Sequence, residues 1–378
     1  MGEAVTAGVG TGAAAEPSIP DYAGGCIANV VPALFDRPDV RPEWLPEPAY
    51  DAERVALVLL DGLGWHQLES RRHIAPTLAS MAGGPITSVL PTTTATALTS
   101  LSTGVAPGEH GVIGYRIHVH GEVLNILRWT TAAGDARHTI PPSKVQTQLS
   151  FLGHRPPVVT RAEFARTGFT LAHLDNVRLH GYRMASTLVT EVAQVMRSPE
   201  PFVYAYYDGI DKVSHEYGLG EHYDAELAAA DQLVANVLDA VPSGTTVVVT
   251  SDHGQVDVGS NLIPLASDVM SHVSLQSGEG RFRWLHARPG HATALVDAAR
   301  ASHSDTAWVL TRDEIVDAGW FGPSVSTEAA SRLGDVAIVA RDDVAFIEPT
   351  DTGPYELIGR HGSATPAELY VPLLAQTR

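Results

Sequence analysis

The sequence is poor in cysteine, in long hydrophobic runs and in early basic residues, and each shortage excludes a class of protein. Cys26 is the single cysteine, which excludes an internal disulfide framework and a zinc finger built from thiolates. The longest strongly apolar run, Val55 to Leu60, is much shorter than the ~20 residues of a membrane-spanning helix. The first basic residue is Arg37, so the basic start of a secretory signal is missing. We therefore expect a soluble, cytoplasmic protein without a membrane partner.

Basic residues are also few compared with acidic ones. The 378 residues include 25 Lys and Arg against 43 Asp and Glu, a formal net charge of −18. A field of this sign repels a nucleic-acid polymer, whereas a small phosphorylated substrate can bind where local cations reverse the field. With 44% hydrophobic and 18% charged residues, the chain has the composition of a folded globular protein.

Three short apolar runs predict buried parallel strands. They are Val55 to Leu60, residues 201–206 and residues 246–250, and each is followed by a loop that contains Asp. Between the last two runs, apolar residues recur at helical spacing from Tyr223 to Val241. Strand, helix and strand in this order form a βαβ unit. The fold class is therefore α/β, with a mostly parallel sheet and helices on both faces.

Two segments lie outside this pattern. Residues 1–20 are rich in Gly and Ala and have no periodic apolar positions, which predicts a loose N-terminal tail. Residues 265–347 hold a second α/β stretch, which we interpret as a smaller α/β cap inserted into a catalytic core of residues 21–264 and 348–378. Its predicted elements are a helix near residues 293–301 and strands near residues 307–311 and 336–340.

Carboxylates and imidazoles collect where the predicted strands end. The set comprises Asp61, Asp211, His215, Asp252 and His253, with His361 near the C-terminus. A lone Asp after a strand is usually a turn residue or a helix cap. Ligands of open α/β sheets, however, bind at the carboxyl ends of the strands, and the joint placement of three carboxylates favours a metal site. Oxygen and nitrogen donors without thiolate suit two divalent cations, Zn²⁺ or Mn²⁺.

A hydroxyl-rich loop precedes a predicted helix. It runs from Pro91 through Thr92, Thr93 and Thr94 into helix-forming residues. A helix N-terminus suits a phosphate anion because its free N–H groups point outward. A threonine at that place can attack phosphorus if a cation lowers the pKa of its hydroxyl. A Ser/Thr run that only caps a helix would have the same sequence.

Together these motifs resemble the alkaline phosphatase superfamily. The most similar branch is that of the type I phosphodiesterases and nucleotide pyrophosphatases, which includes phosphonoacetate hydrolases. The resemblance covers about residues 50–260 and 355–375 and implies an alkaline-phosphatase-like core. It is carried, in order along the chain, by Asp61-Gly62, Pro91-x-x-Thr94, Thr103-Gly104, His110-Gly111, Asp211-x-x-x-His215-x-x-Gly218, Asp252-His253-Gly254 and His361-Gly362.

The resemblance also implies roles for the site residues. One cation would be held by Asp211, His215 and His361, and the other by Asp61, Asp252, His253 and Thr94. Thr94 would be the nucleophile, with Thr93 as the alternative. Tyr115 stands near the place where nucleotide pyrophosphatases typically have an Asn that contacts the phosphate, and it is expected to contact the substrate.

The implied reaction is two-metal-dependent hydrolysis of a nucleotide phosphodiester through a phospho-threonine intermediate. A narrower resemblance is to the cytoplasmic actinobacterial phosphodiesterases that degrade cyclic di-AMP with Mn²⁺. It rests on the excess of Arg over Lys, the Thr-Thr-Thr-Ala-Thr-Ala loop and the size of the chain. Cyclic di-AMP, cut to the linear dinucleotide and AMP, is thus the expected substrate. The alternatives are a phosphonoacetate-type phosphonate hydrolase or phosphomonoesterase with the same metal site, and a ligand sensor without turnover.

Overall fold

The computed structural model describes residues 16–347 and 356–378. Within these residues the strands are β1 (Val55–Leu60), β2 (Ala82–Thr87), β3 (Arg116–Val119), β4 (Glu122–Asn125), β5 (Thr130–Thr131), β6 (Gly134–Asp135), β7 (Pro157–Arg161), β8 (Arg178–Tyr182), β9 (Phe202–Tyr207), β10 (Thr246–Thr250), β11 (Val256–Asp257), β12 (Leu262–Pro264), β13 (Val273–Glu279), β14 (Phe282–Ala287), β15 (Ala307–Thr311), β16 (Val336–Ala340), β17 (Ala345–Ile347), β18 (Gly359–Arg360) and β19 (Tyr370–Thr377).

The helices connect these strands, and short 3-10 turns span Ile27–Asn29, Ser150–Gly153 and Ala162–Phe164. In the same described ranges, the α-helices are α1 (Val30–Phe35), α2 (Glu47–Tyr50), α3 (Trp65–Glu69), α4 (Pro76–Ser80), α5 (Thr94–Thr103), α6 (Pro107–His110), α7 (Pro142–Val145), α8 (Gly168–His173), α9 (Ala185–Arg197), α10 (Gly209–Tyr217), α11 (Glu221–Ala240), α12 (Ser267–His272), α13 (Ala292–His303), α14 (Arg312–Asp317), α15 (Thr327–Ala330) and α16 (Pro366–Leu369).

Among the described residues, the central sheet has seven strands in the order β2-β19-β10-β1-β9-β7-β8. The neighbours β10, β1, β9, β7 and β8 are parallel, and only β19 runs against its neighbours β10 and β2. The crossover from β9 to β10 passes over β1, which lies between them. A mostly parallel α/β sheet, as predicted, is confirmed.

Both faces of the central sheet are buried, because successive side chains of a strand point to opposite faces. Along β1, Val55, Leu57 and Leu59 pack in one apolar cluster with residues of α1, α5 and α8. Ala56 and Val58 pack in a second cluster with residues of α4, α9 and α11. Helices therefore cover the two faces, which explains why the strands are continuous apolar runs.

A second sheet lies inside the segment predicted to be a cap. Its order is β13-β14-β16-β15, all antiparallel, and we call it the second sheet below. β15 and β16 coincide with the predicted strands, and α13 contains the predicted helix. A third sheet, β3-β4-β5-β6, follows α6. The domain boundaries themselves stay a prediction.

The ends of the predicted segments fall partly outside the described residues. Of the predicted tail, residues 1–15 lie outside them, and residues 16–20 form no helix or strand. The Ser18 amide nevertheless donates to the Ala364 carbonyl at 2.8 Å. Residues 348–355, at the start of the second core segment, also lie outside. Within the described ranges, no helix combines the length and apolarity needed to cross a membrane.

Candidate active site

The candidate site lies at the carboxyl edge of the central sheet. Because β9, β1 and β10 are adjacent and parallel, the loops that follow them meet at this edge. Asp61 directly follows β1, Asp252 lies two residues after β10, and α10 begins two residues after β9. The sheet order therefore brings together residues that are almost 200 positions apart in sequence.

The first group of donors is built on α10. Asp211 and His215 are four residues apart in this helix, and the Asp211 Oδ1 atom lies 3.3 Å from His215 Nε2. His361 lies just after β18, with its Nε2 atom 3.7 Å from Asp211 Oδ1 and 3.3 Å from His215 Nε2. Since residues four apart share one face of a helix, these three side chains form one compact group.

The second group is more deeply buried. Asp61 is 1% exposed, and Asp252 and His253 are 0% exposed. The His253 Nε2 atom lies 3.6 Å from Asp61 Oδ1 and 3.4 Å from Asp252 Oδ2. Asp211 is near this group as well, since ligand atoms of Asp61, Asp211 and His253 all lie within 4.8 Å of one another. The two predicted groups are therefore contiguous, with Asp211 between them.

The three imidazoles are held by the same kind of hydrogen bond. Their Nδ1 atoms bond to backbone carbonyls: His215 to Gly359 at 2.7 Å, His253 to Gly254 at 3.1 Å and His361 to Thr92 at 2.8 Å. A carbonyl oxygen can only accept a hydrogen bond, so each Nδ1 carries the proton and each Nε2 presents a lone pair. Histidine ligands of metals are typically oriented in this way. All three Nε2 lone pairs point into the cluster.

The cluster therefore contains more hydrogen-bond acceptors than donors. In the described part of the chain, the buried atoms Asp61 Oδ1 and Asp252 Oδ2 have no hydrogen-bond partner. Burial, and then repulsion by nearby carboxylates, raises the pKa of Asp61 well above its usual range, and burial raises the pKa of Asp252. Burial, and then the neighbouring imidazoles, lowers the pKa of His361. Facing carboxylates and imidazole lone pairs repel each other unless a cation lies between them, so the donor set fits divalent cations.

Thr94 is the first residue of α5, and Thr93 directly precedes that helix. The Thr94 hydroxyl lies 3.2 Å from His253 Nε2, and because this nitrogen has a lone pair, the hydroxyl is the donor. Among the hydrogen bonds of the described residues, Thr94 and not Thr93 is joined to the cluster. The amides of the first helical turn have no partner within the helix, so they are available to an anion bound at that end of α5.

Three residues to which the sequence assigned no role support the site. Tyr206, in β9, donates a short hydrogen bond to Asp61 Oδ2. Gln255 donates to Asp211 Oδ1 at 2.9 Å, and its place directly after Asp252-His253-Gly254 is the one sequence signal that could have indicated it. Thr92 accepts from Gly362 N at 3.1 Å, donates to Ser363 O at 2.7 Å and holds His361 by its carbonyl. These hydrogen bonds orient the predicted metal ligands and add no further ligand.

His110, which belongs to one of the motifs that carry the resemblance, has a structural environment. It is 2% exposed, its Nδ1 accepts from Val112 N at 3.0 Å, and its Nε2 bonds to Ser100 Oγ at 2.8 Å. Burial, and then the charge of Arg332, lowers the pKa of His110 to about 3. The neutral ring therefore fixes the loop after α5 onto that helix.

A cleft of about 1450 Å³ opens from the cluster toward the second and third sheets. Thr93, Thr94, Asp211, His215 and His361 line one part of it, and Tyr115 lines another. Tyr115 is thus partly buried in the cleft wall. The cleft is larger than the roughly 300–1,000 Å³ of pockets that hold drug-sized ligands.

Comparison with known proteins identifies the family and the fold of the chain. The sequence profile of the type I phosphodiesterase / nucleotide pyrophosphatase family matches residues 55–364. The structure is similar to murine ectonucleotide pyrophosphatase / phosphodiesterase 5, with a TM-score of 0.66 and 16% identity over 85% of this chain and 88% of that one. An inactive threonine-to-alanine variant of the murine protein in complex with AMP gives a TM-score of 0.67 and 15% identity, covering 86% and 88% of the two chains.

Phosphonoacetate hydrolase from Sinorhizobium meliloti 1021, solved in complex with phosphonoacetate, gives a TM-score of 0.61 and 17% identity, covering 88% of this chain and 90% of that one. No curated protein sequence matches the chain closely enough to count as a relative. At these identities the solved structures establish the fold, and the profile match over most of the chain establishes the family.

Proposed function

The chain belongs to the type I phosphodiesterase / nucleotide pyrophosphatase family and is a hydrolase of phosphoric diesters, and on this premise we propose that it cleaves a nucleotide phosphodiester by attack of Thr94. The observation that carries the proposal is the cluster of buried acceptor atoms beside the Thr94 hydroxyl. A site built for a neutral ligand would pair such acceptors with donors.

The proposal includes two divalent cations, Zn²⁺ or Mn²⁺. Asp211, His215 and His361 would hold one; Asp61, Asp252, His253 and Thr94 would hold the other. When bound, such cations stabilise negative charge on phosphoryl oxygens and lower the pKa of a nearby hydroxyl. Asp/His sites accept both metals, so metal analysis of protein purified from its own cells is the measurement that identifies the metal.

The chain's own residues account for the remaining steps. The Thr94 hydroxyl gives its proton to water and its Oγ1 attacks phosphorus. The bond from phosphorus to the leaving alcohol or nucleotide oxygen breaks as the new bond forms, and a leaving alcohol takes up a proton from water. The amides at the N-terminus of α5 would stabilise the negative charge that develops on the phosphoryl oxygens. Water then attacks the phospho-threonine, the bond between Oγ1 and phosphorus breaks, and a phosphate monoester is released.

The finer proposal is that the substrate is cyclic di-AMP. The cleft of about 1450 Å³ supports it, since a dinucleotide needs more room than the drug-sized ligands of smaller pockets. The complex of the murine neighbour with AMP supports a nucleotide as part of the substrate. Tyr115, in the cleft wall, would contact the substrate. The first cleavage would give the linear dinucleotide and the second would give AMP. A cytoplasmic location is part of this proposal.

A phosphonoacetate-type hydrolase or a phosphomonoesterase is the second candidate. The likeness to phosphonoacetate hydrolase favours it, and the same cluster would serve it. A small phosphonate would leave most of the cleft empty, so the cleft volume favours the diester.

Chromatography of the products formed from cyclic di-AMP by metal-loaded protein tests both candidates. We expect linear dinucleotide and AMP, and we expect Thr94→Ala to lose this activity by several orders of magnitude while Thr93→Ala retains most of it. Phosphate release from phosphonoacetate or a monoester, without cleavage of the diester, would support the second candidate. Binding of the nucleotide without any turnover would indicate a sensor and contradict both.

A further inference from the structure

A buried ion pair joins the second sheet to the two loops that carry His253 and His361, which we call the histidine loops. Arg281 lies in the turn between β13 and β14, and Glu368 lies in α16. Both side chains are 0% exposed, and the guanidinium donates from Nε and Nη2 to the two carboxylate oxygens at 2.8 Å each. The remaining nitrogen, Nη1, donates to the carbonyls of Asp342 and Val344. The planar fork of Arg makes this arrangement possible, and Lys could not reproduce it.

Glu368 contacts both histidine loops. Its Oε1 atom accepts from Ser363 N at 3.0 Å, two residues after His361. Its backbone carbonyl accepts from Gly254 N at 2.8 Å, one residue after His253. Its Oε2 atom also accepts from Thr365 Oγ1. One residue therefore fixes the backbone beside a predicted ligand of each cation.

The second sheet is also attached directly to the loop of His361. Ser363 Oγ donates a short hydrogen bond to the Ala340 carbonyl at the end of β16, and the Ala340 amide donates to the carbonyl of Arg281 at 2.9 Å. On its other side, the loop of His361 is held by Thr92, two residues before Thr94. The loop is thus held between the nucleophile segment and the second sheet.

Stabilisation of the fold does not by itself explain why a buried ion pair is present at this place. Replacing a buried ion pair by apolar residues is often neutral or stabilising, because desolvation offsets the attraction between the charges. A fully satisfied buried network instead specifies one arrangement of the groups that it joins. The groups joined here are the two histidine loops.

We propose that Arg281 and Glu368 are positioning residues that hold the His361 and His253 loops in the geometry needed to bind the two cations. The second sheet is then part of the metal site's support as well as a wall of the cleft. This inference depends on the metal site of the proposed function, but not on which substrate is cleaved.

The test measures cation binding directly, by competition of Zn²⁺ with a chromophoric chelator and by the absorption spectrum of the Co²⁺-loaded protein. Because loss of a residue that orients a ligand typically lowers metal affinity about 10- to 100-fold, we expect a decrease of that size for Arg281→Met and for Glu368→Gln. The double variant Arg281→Met/Glu368→Gln leaves no unpaired buried charge. We therefore expect the double variant to recover thermal stability but not metal affinity. If a single variant does not fold, the double variant is used for the measurement instead.

Arg332→Met is the matched control. Arg332 is 7% exposed and joins its segment to the core through the carbonyls of Gly111 and Val145, but those carbonyls belong to neither histidine loop. We expect this variant to lose stability and to keep wild-type metal affinity. Wild-type affinity in all the Arg281 and Glu368 variants, or an equal loss in Arg332→Met, would overturn the proposal. Failure of the wild-type protein to cleave nucleotide diesters while it binds both cations would contradict the proposed function only.

Discussion

Asp61→Asn should have opposite effects on stability with and without metal. Ligand atoms of Asp61, Asp211 and His253 lie within 4.8 Å of one another. At that separation, two carboxylate charges repel by about 3.5 kcal/mol at an effective dielectric constant of about 20. Burial and this repulsion raise the pKa of Asp61, so protonation relieves part of the repulsion. We therefore expect the variant to gain about 1–3 kcal/mol in the presence of a chelator.

The amide is also a better neighbour than the carboxylate in the metal-free site. Its carbonyl oxygen can accept from the Tyr206 hydroxyl, and its NH₂ group can point toward His253 Nε2, which lies 3.6 Å from Asp61 Oδ1. With about 2.1 cal/mol/K of unfolding entropy per residue and 378 residues, 1 kcal/mol corresponds to about 1.3 °C in Tm. The expected increase is then about 1–4 °C by scanning calorimetry in chelator.

Added Zn²⁺ or Mn²⁺ should reverse the order of the two proteins. A cation at about 1,000 times its Kd stabilises a protein by about 4.1 kcal/mol, which exceeds the gain of about 1–3 kcal/mol expected in chelator. The variant should lose this stabilisation at the site that Asp61 contributes to. A lower Tm for Asp61→Asn in chelator would refute the reasoning, since it would mean that the carboxylate is already well paired. Asp208→Asn is the control: this buried carboxylate lies 2.6 Å from Arg161 Nε and 2.5 Å from Lys212 Nζ, so its loss should lower Tm in both conditions.

Three further predictions concern single residues. Thr94→Ser should keep a measurable fraction of wild-type kcat because it retains the hydroxyl; a kcat as low as that of Thr94→Ala would contradict a role for the hydroxyl itself. The pKa of His110 falls from 6.5 in the unfolded chain to about 3 in the folded one. The contribution of the neutral ring to stability is therefore present above pH 6.5 and is lost as pH falls toward 3. The slope of this loss approaches about 1.4 kcal/mol per pH unit. Denaturation at pH 6.5 and 5 should therefore show a stability loss that is about 2 kcal/mol larger for the wild type than for His110→Gln, and equal losses would refute this. A Cβ at Gly254 would lie 2.0 Å from the Ala367 carbonyl oxygen, so Gly254→Ala should move the His253 loop and weaken cation binding in the chelator competition; unchanged affinity would contradict this.

The elements that the sequence predicts best are those with a local signature. β1 and β10 have the predicted limits, and β9 is shifted by one residue, because continuous apolar runs that end in Asp or Ser-Asp identify buried strands. β19 could not be predicted in this way. It contains Pro372, and proline inside an apolar run disfavours a central strand; here Pro372 lies opposite Pro85 of β2. Such a pairing depends on a segment nearly 300 residues away.

For the candidate site too, the sequence predicts some features and not others. The types of donor and their places after the strands could be read from the sequence, since the ends of parallel strands meet at one edge whatever their separation along the chain. The role of His110 could not be read in this way, because a histidine in a motif looks the same whether it faces a ligand or a serine hydroxyl.

The sequence by itself therefore determined which chemical groups are present at the edge of the sheet: carboxylates, imidazoles and a helix-terminal hydroxyl. Only the tertiary structure decided how their lone pairs are directed. The imidazoles of His215 and His361 are oriented by carbonyls 144 and 269 residues away, and Arg281 reaches Glu368 across 87 residues. A backbone carbonyl is common to every residue type, so its position, and with it the direction of each lone pair, is set by long-range packing and leaves no mark in the local sequence.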